Sequence, residues 1–164
     1  MNGRRWGGVL VAGFGLGVAV LAIALCGTVL ASHEKQRQIG ITEADALGYV
    51  RSFMTEFTSP DPAHAQDYTE RIMNQATDGF AEEYRKNRDE IVKQVSSAAP
   101  TVGTVLDAGV SRLNDDGSVE ALVVTKFGAS APDGKLLMER SNRWIVTAKR
   151  EGGQWKISNL TPTV

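Results

Sequence analysis

Few side chains in this sequence have the types and spacing that chemistry requires. Abstraction of a proton from carbon needs a buried carboxylate beside an oxyanion donor, and the best candidate for such a base is Asp107, on a predicted strand. Along that strand Leu106, Ala108 and Val110 form the more apolar alternate face. An outward, solvated Asp107 is therefore the favoured interpretation, and an isomerase or dehydratase activity is the less favoured one.

The residues that transfer protons or bind metals are equally sparse. There are two histidines, of which His33 follows a long apolar run and His64 lies in a proline-flanked loop. Cys26, the one cysteine, lies within that run, so we expect neither an intramolecular disulfide nor a thiolate metal site. The sequence thus predicts no catalytic residue, no metal and no cofactor, and a protein that is not an enzyme.

The apolar run extends from Trp6 to Ala31 without a charged residue. As a helix it would rise roughly 37 Å, more than the hydrocarbon core of a bilayer, so it predicts a transmembrane helix over residues 6–31. The alternative is a cleaved secretory signal, because Val29 and Ala31 have the spacing of a cleavage site. The apolar part of a signal is normally about 7 to 15 residues long, and the longer run here favours an uncleaved anchor.

Charges beside the run predict its orientation. Arg4 and Arg5 precede the run. After the run, the negative charge of Glu34 offsets part of the positive charge of the basic residues there. The positive-inside preference therefore places residues 1–5 in the cytoplasm and the C-terminal domain on the periplasmic side of the plasma membrane, in a single-pass topology.

Small residues within the run are candidates for a contact between membrane helices. Gly8, Ala12, Gly13 and Gly17 have the small-xxx-small spacing that lets a second helix approach closely. The alternative explanation is that glycine is simply frequent in membrane helices.

The chain after the run has the composition of one soluble domain. It carries 16 basic and 19 acidic side chains, a formal charge of −3, with both signs interspersed. Nucleic-acid binding requires a clustered basic stripe, which this pattern lacks, so we expect no nucleic-acid partner. A length of roughly 130 residues is enough for a domain with its own core.

Hydrophobic periodicity predicts helices in the first half of this domain and strands in the second. After a juxtamembrane linker at 32–41, helices are predicted from Thr42 to the proline-containing segment Ser59–Pro62 that ends the first of them, over 67–75, and from Phe80 to about Ser97. From Val102 the period becomes two, and turn signals divide the rest into four strands, 102–113, 118–129, 135–150 and 154–161.

These elements predict an α+β fold: an N-terminal transmembrane helix, then a cone-shaped domain at 42–164. About three helices would pack on a curved four-stranded antiparallel sheet. Alternation along the last two strands predicts four side chains that face into the cone, Trp144, Val146, Trp155 and Ile157.

Three segments carry a resemblance to a known family: Ala76–Phe80 (ATDGF), Gly103–Val110 (GTVLDAGV) and Gly152–Ser158 (GGQWKIS). With the arrangement of one span and one outer domain, the chain resembles the Mce-associated membrane proteins of mycobacteria and related actinobacteria over nearly its whole length. The resemblance implies a nuclear-transport-factor-2-like outer domain, similar in layout to the VirB8-type components of secretion machines.

The resemblance also implies a role and partners. The chain would be an accessory, stabilising subunit of an Mce-type system that imports lipids such as fatty acids or sterols. Its partners would be other membrane proteins, chiefly Mce transporter components, with lipid as a further ligand. Two alternatives stay open: a domain that binds a lipid and hands it to a neighbour, and a VirB8-like scaffold of a secretion or conjugation apparatus.

Overall fold

The computed structural model describes Arg37 and residues 39–130 and 136–163. The chain divides into two units, Met1–Thr42 and Glu43–Val164. The fold set out below is that of the second unit, which holds all of the described strands.

The predicted membrane helix at 6–31 lies outside the described residues. The same holds for the four small residues that could form a helix contact, Gly8, Ala12, Gly13 and Gly17. Within the described part of the chain, no helix combines the length and the apolar character needed to cross a membrane.

Helix α1 covers residues 39–57, and its part from Glu43 onward belongs to the second unit. One side of α1 is fully buried, at spacings of three and four residues that place its apolar side chains on one face: Ala46, Val50, Phe53 and Met54. The predicted helix start at Thr42 is wrong, because the preceding turn, including Gly40, is already helical.

Helix α1 ends at a residue that bonds back to its last turn. The Thr58 hydroxyl donates to a helix carbonyl at 2.6 Å, and Pro60, which has no N–H, cannot continue the helix. A 3-10 turn, Pro62–His64, follows, and the Asp61 carboxylate accepts a hydrogen bond from the Ala63 N–H at 3.0 Å.

Three further helices follow: α2 (Ala65–Asn74), α3 (Asp78–Lys86) and α4 (Arg88–Ser97). The prediction of one helix from Phe80 to Ser97, and hence of about three helices in the domain, is therefore wrong. The helix is divided at Asn87, whose ψ is 10° and whose side-chain amide donates to the Glu83 carbonyl at 3.0 Å. Asparagine competes in this way with helical backbone hydrogen bonds.

The second half of the domain is a four-stranded sheet: β1 (Thr101–Leu113), β2 (Val119–Ser130), β3 (Leu136–Glu151) and β4 (Gln154–Thr163). The strands are antiparallel and lie in the order β1-β2-β3-β4, so the predicted antiparallel meander is confirmed. The predicted turn at Asn114–Gly117 is also confirmed, and Gly117 has a φ of 78°, which suits glycine.

The helices pack on one face of the sheet around a single core. Its fully buried large apolar side chains come from both halves of the domain: Val50, Phe53, Met54, Ile72, Val119, Val123, Val146 and Ile157. Removing this apolar surface from water is the main favourable term in folding.

The connection between α2 and α3 is fixed on the free edge of β4. Ala76 and Ile157 form a parallel β-bridge, in which the Thr77 N–H donates to the Ile157 carbonyl and the Ile157 N–H donates to the Gln75 carbonyl, both at 2.8 Å. Helix α3 therefore starts beside β4, and α4 follows it and packs on α2.

Candidate functional site

A recess of about 400 Å³ opens between helices α3 and α4 on one side and strands β3 and β4 on the other. Its floor is apolar and consists of Phe57, Phe80, Tyr84, Ile91, Trp144 and Leu160. Its rim is polar and consists of Glu83, Asn87, Glu90 and Gln94. An apolar recess with a few polar groups at its edge is the usual form of a ligand-binding site.

Aromatic rings pack against one another in the floor of the recess. Phe57 lies between two ring neighbours in edge-on contact, with centroids 5.8 Å from Trp144 and 6.5 Å from Phe80. The ring of Tyr84 lies 5.6 Å from Phe80. Such contacts are favourable and hold the rings in place, so the floor is formed without a ligand.

The polar atoms of two floor residues, Trp144 and Tyr84, carry no charge. The Trp144 indole N–H donates to the buried Thr125 hydroxyl at 2.9 Å, which fixes the indole ring from the neighbouring strand. The Tyr84 phenol is uncharged at neutral pH, and burial raises its pKa further, to about 12. The floor thus presents neutral aromatic surface.

The rim is acidic. Gln94 donates to the Glu90 carboxylate at 3.2 Å, and Asn87 is bound to the backbone of α3. Among the described residues, neither Glu83 nor Glu90 forms an ion pair, and no basic side chain lines the recess.

Both layers of the recess follow from the spacing of residues along α3 and α4. Phe80, Tyr84 and Ile91 recur at intervals of four and seven and give the floor. The rim residues recur at intervals of four, three and four, which places them on an adjacent stripe of the two helices: Glu83, Asn87, Glu90 and Gln94. One pair of helices therefore supplies an apolar stripe and a polar stripe side by side.

The four side chains predicted to face into the cone lie in different places. Val146 and Ile157 are fully buried in the core. Trp144 is half-buried and lines the recess. Trp155 is 8% exposed and lies at a separate groove, where its indole N–H donates to the Asp45 carboxylate at 2.9 Å and its ring lies under Arg150.

The carboxylate considered for proton abstraction lies outside the recess. The Asp107 side chain is 85% exposed, and it lies beside a bulge in β1. It accepts a hydrogen bond from the Ala108 N–H at 2.9 Å and lies 3.7 Å from the Arg51 guanidinium. Asp107 therefore occupies no enclosed site in which a substrate could react.

The described histidine is also solvent-exposed. His64 Nδ1 lies 2.8 Å from the Asp61 carboxylate, and this hydrogen bond raises the pKa of His64 and lowers that of Asp61. His33 lies outside the described residues. Within the described part of the chain, no three His, Cys, Asp or Glu side chains are grouped so that they could hold a metal ion.

Of the four side chains predicted to face into the cone, only Trp144 lines the recess. Phe80, Tyr84 and Ile91 recur along one side of the predicted third helix, a pattern that indicates a core position rather than a recess. The signal that could have identified the rim is the recurrence of Glu83, Asn87, Glu90 and Gln94 at intervals of three and four residues, which places them on one stripe of a helix. Phe57 and Leu160 carry no such signal, because only the fold brings them beside α4.

Solved structures share the fold of this domain. A periplasmic fragment of TraM matches with a TM-score of 0.58 and 12% identity, over 73% of this chain and 95% of that one. CagV, a VirB8 homologue of the T4SS of Helicobacter pylori, matches with a TM-score of 0.59 and 8% identity, over 74% of this chain and 98% of that one.

A third structure is the intermembrane space region of the chloroplast protein ARC6, with a TM-score of 0.51 and 17% identity over 73% of this chain and 95% of that one. At these identities the likeness concerns the fold alone, and it confirms the predicted VirB8-like fold of the C-terminal domain.

At the level of sequence, one family model covers nearly the whole chain. It is described as "Uncharacterized protein Rv1363c/MT1408-like" and matches residues 9–162. No curated protein sequence matches the chain significantly.

Proposed function

Because the chain belongs to the Rv1363c/MT1408-like family and its C-terminal domain has a VirB8-like fold, we propose that it is a non-enzymatic, membrane-anchored scaffold subunit of a multiprotein complex of the secretion or conjugation type. The observation that carries this proposal is the extent of the fold match. The chain covers 95% of the TraM fragment and 98% of CagV, so whole domains correspond. CagV is a VirB8 homologue of a T4SS.

The proposal includes a position in the membrane. The apolar run at 6–31 is the proposed anchor, and Arg4 and Arg5 favour a cytoplasmic N-terminus. The described domain would then lie on the outer side of the plasma membrane. The TraM fragment is a periplasmic one, which supports this orientation.

The chemistry of the described residues supports a role without catalysis. Asp107 and His64 are exposed and lie apart from the recess, which combines an aromatic floor with two carboxylates. A general acid or base normally lies in a cleft where its pKa is shifted, and neither Asp107 nor His64 lies in such a cleft.

The second candidate is an accessory subunit of an Mce-type lipid import system. The segments Ala76–Phe80, Gly103–Val110 and Gly152–Ser158 support it through their resemblance to Mce-associated membrane proteins. In that case the recess would serve to bind a lipid and hand it over.

Both candidates are tested by purification of the tagged full chain from crosslinked native membranes, followed by mass spectrometry of the partners. Components of a secretion or conjugation apparatus in near-stoichiometric amounts are expected if the first proposal holds, and Mce transporter components if the second holds. A scaffold subunit stabilises the proteins that it binds. Deletion of the chain should therefore also lower the amounts of those partners in the membrane. Recovery of the chain alone, with partner levels unchanged by deletion, would contradict both.

A further inference from the structure

We propose that the recess binds a segment of a partner protein in which an apolar side chain lies next to a lysine or an arginine. This inference rests on the proposed scaffold function, because it assigns the chemistry of the partner that such a scaffold contacts. It is carried by the aromatic floor together with the acidic rim described above.

The floor accounts for the apolar part of the ligand. A volume of about 400 Å³ lies at the lower end of the range for small-molecule pockets, about 300–1,000 Å³. The recess is open along its rim, so it suits one or two side chains presented by a polypeptide better than a long acyl chain that needs enclosure. Burial of one large apolar side chain against Phe57, Phe80 and Trp144 would supply the main part of the affinity.

The acidic rim of the recess accounts for the lysine or arginine in the proposed partner segment. Glu83 and Glu90 flank the opening, and among the described residues no base lies in the lining to neutralise them. Three bases lie between them in the sequence, Arg85, Lys86 and Arg88, but none of them lines the recess, and Arg88 forms ion pairs with Glu70 at 3.1 Å and with Asp89 at 3.5 Å. A lysine or arginine of a partner would therefore meet two carboxylates that form no ion pair among the described residues, beside aromatic faces that also attract cations.

The same charges disfavour the anionic lipids among the other ligands considered for this recess. The carboxylate of a fatty acid or the phosphate of a lipid head group would be repelled by two carboxylates at the opening. A protein segment with a basic residue meets no such repulsion. We therefore favour a protein occupant, and capture of a lipid would be an outcome that overturns the inference.

The test uses photo-crosslinking from the rim in the full chain within native membranes. Gln94 is exposed and bonds only within its own helix, so it is the position for the photo-crosslinking residue p-benzoylphenylalanine. Irradiation should give a covalent product with another protein. Mass spectrometry of the crosslinked peptide should find an apolar residue beside a lysine or arginine.

Charge variants show whether the rim acts as proposed. E83Q/E90Q should lower the yield of the product about fivefold, since each exposed ion pair contributes modestly. The matched control is E82Q/D89N, which removes two acids from the neighbouring positions of the same helices and should change the yield less than about twofold. Both double variants should melt as the parent does; if E83Q/E90Q melts lower, the single variants E83Q and E90Q replace it.

Several results would overturn the inference. These are a product with lipid, a crosslinked segment without a basic residue, an equal loss of yield in the two double variants, and no effect of E83Q/E90Q. Absence of any product while partners still co-purify with the chain would overturn the inference but leave the scaffold function intact. If no partner co-purifies at all, the scaffold function itself fails.

Discussion

At the residue scale, Gly103 shows how closely helix α1 approaches the sheet. A Cβ atom at this position would overlap the Thr58 hydroxyl oxygen and would lie 2.7 Å from the Thr58 backbone carbonyl oxygen. Neither atom can withdraw easily, since Thr58 is buried and its hydroxyl is bonded to the last turn of α1. Glycine is therefore required here by the close approach of two main chains.

Gly103→Ala should lower the free energy of unfolding by about 1–3 kcal/mol, the usual cost of overpacking. The matched control is Gly109→Ala on the same strand, where a Cβ would meet no atom within 4 Å and the change should stay within about 0.5 kcal/mol. Urea denaturation of the full chain in detergent would measure both. Equal stability of the two variants would contradict the close approach.

The pair of His64 and Asp61 makes a pH-dependent contact at the start of α2. Because the pKa of His64 is raised above its ordinary value of 6.5, protonated His64 stabilises the fold at pH values below 6.5, and this contribution is lost as the pH rises through the folded pKa. Asp61 has a lowered pKa, so its contribution is present above its ordinary value of 3.8 and is lost on acidification through the folded pKa.

We expect an NMR titration to give a pKa for His64 above 6.5, and Asp61→Asn should return it toward that value. Asp67→Asn is the control, because Asp67 raises the pKa of His64 only through a weaker charge interaction. A pKa for His64 that is the same in the parent and in Asp61→Asn would show that the two side chains do not interact in solution.

At the element scale, one contact joins α1 to the hairpin of β3 and β4. The Asp45 carboxylate accepts hydrogen bonds from the Trp155 indole at 2.9 Å and from Arg150 at 2.8 Å. The Arg150 guanidinium also lies 4.7 Å above the Trp155 ring. The ion pair is half-exposed and contributes little, whereas the hydrogen bond of the buried indole contributes more.

A double-mutant cycle of Asp45→Ala and Trp155→Phe should therefore give a coupling energy of about 1 kcal/mol. The single variants serve as the controls of the cycle, since each removes one partner of the hydrogen bond. Thermal or urea unfolding of the full chain measures the four proteins. Strictly additive effects of the two substitutions would contradict the contact.

The strands of this domain could be predicted better than its helices. A period of two is broken sharply by Asn114–Gly117, so the meander is evident from local signals. The division of the third helix could not be predicted, because Phe80, Tyr84 and Ile91 keep a helical period across Asn87. Asparagine has only a weak preference against the helix interior, and its side chain here donates to the Glu83 carbonyl in addition to the Asn87 backbone N–H.

At the scale of the whole molecule, the recess depends on contacts that sequence patterns do not contain. Phe57, Trp144 and Leu160 come from α1, β3 and β4, and only the packing of α3 and α4 over these strands joins them into one floor. The alternation of side chains along β3 predicts that Trp144 points inward, but it does not predict the recess beside this residue. Likewise, nothing in the sequence distinguishes Gly103 from other glycines in strands. Only the folded structure shows that Thr58 lies where a Cβ atom of residue 103 would be.

The scaffold function requires that the chain exists in the membrane mainly as part of an assembly with other proteins. In that proposal the apolar run at 6–31, the VirB8-like domain and the acidic recess are three surfaces of one subunit. The scaffold proposal and the Mce proposal name different complexes, and both require partners other than copies of this chain.

Native mass spectrometry of the assembly extracted from its own membranes into nanodiscs tests this claim most directly. The chain has a mass of 17.7 kDa. We predict species whose mass, after subtraction of bound lipid, contains subunits other than this chain, and whose dissociation releases the chain together with those subunits. Masses that are all whole multiples of 17.7 kDa would contradict the account.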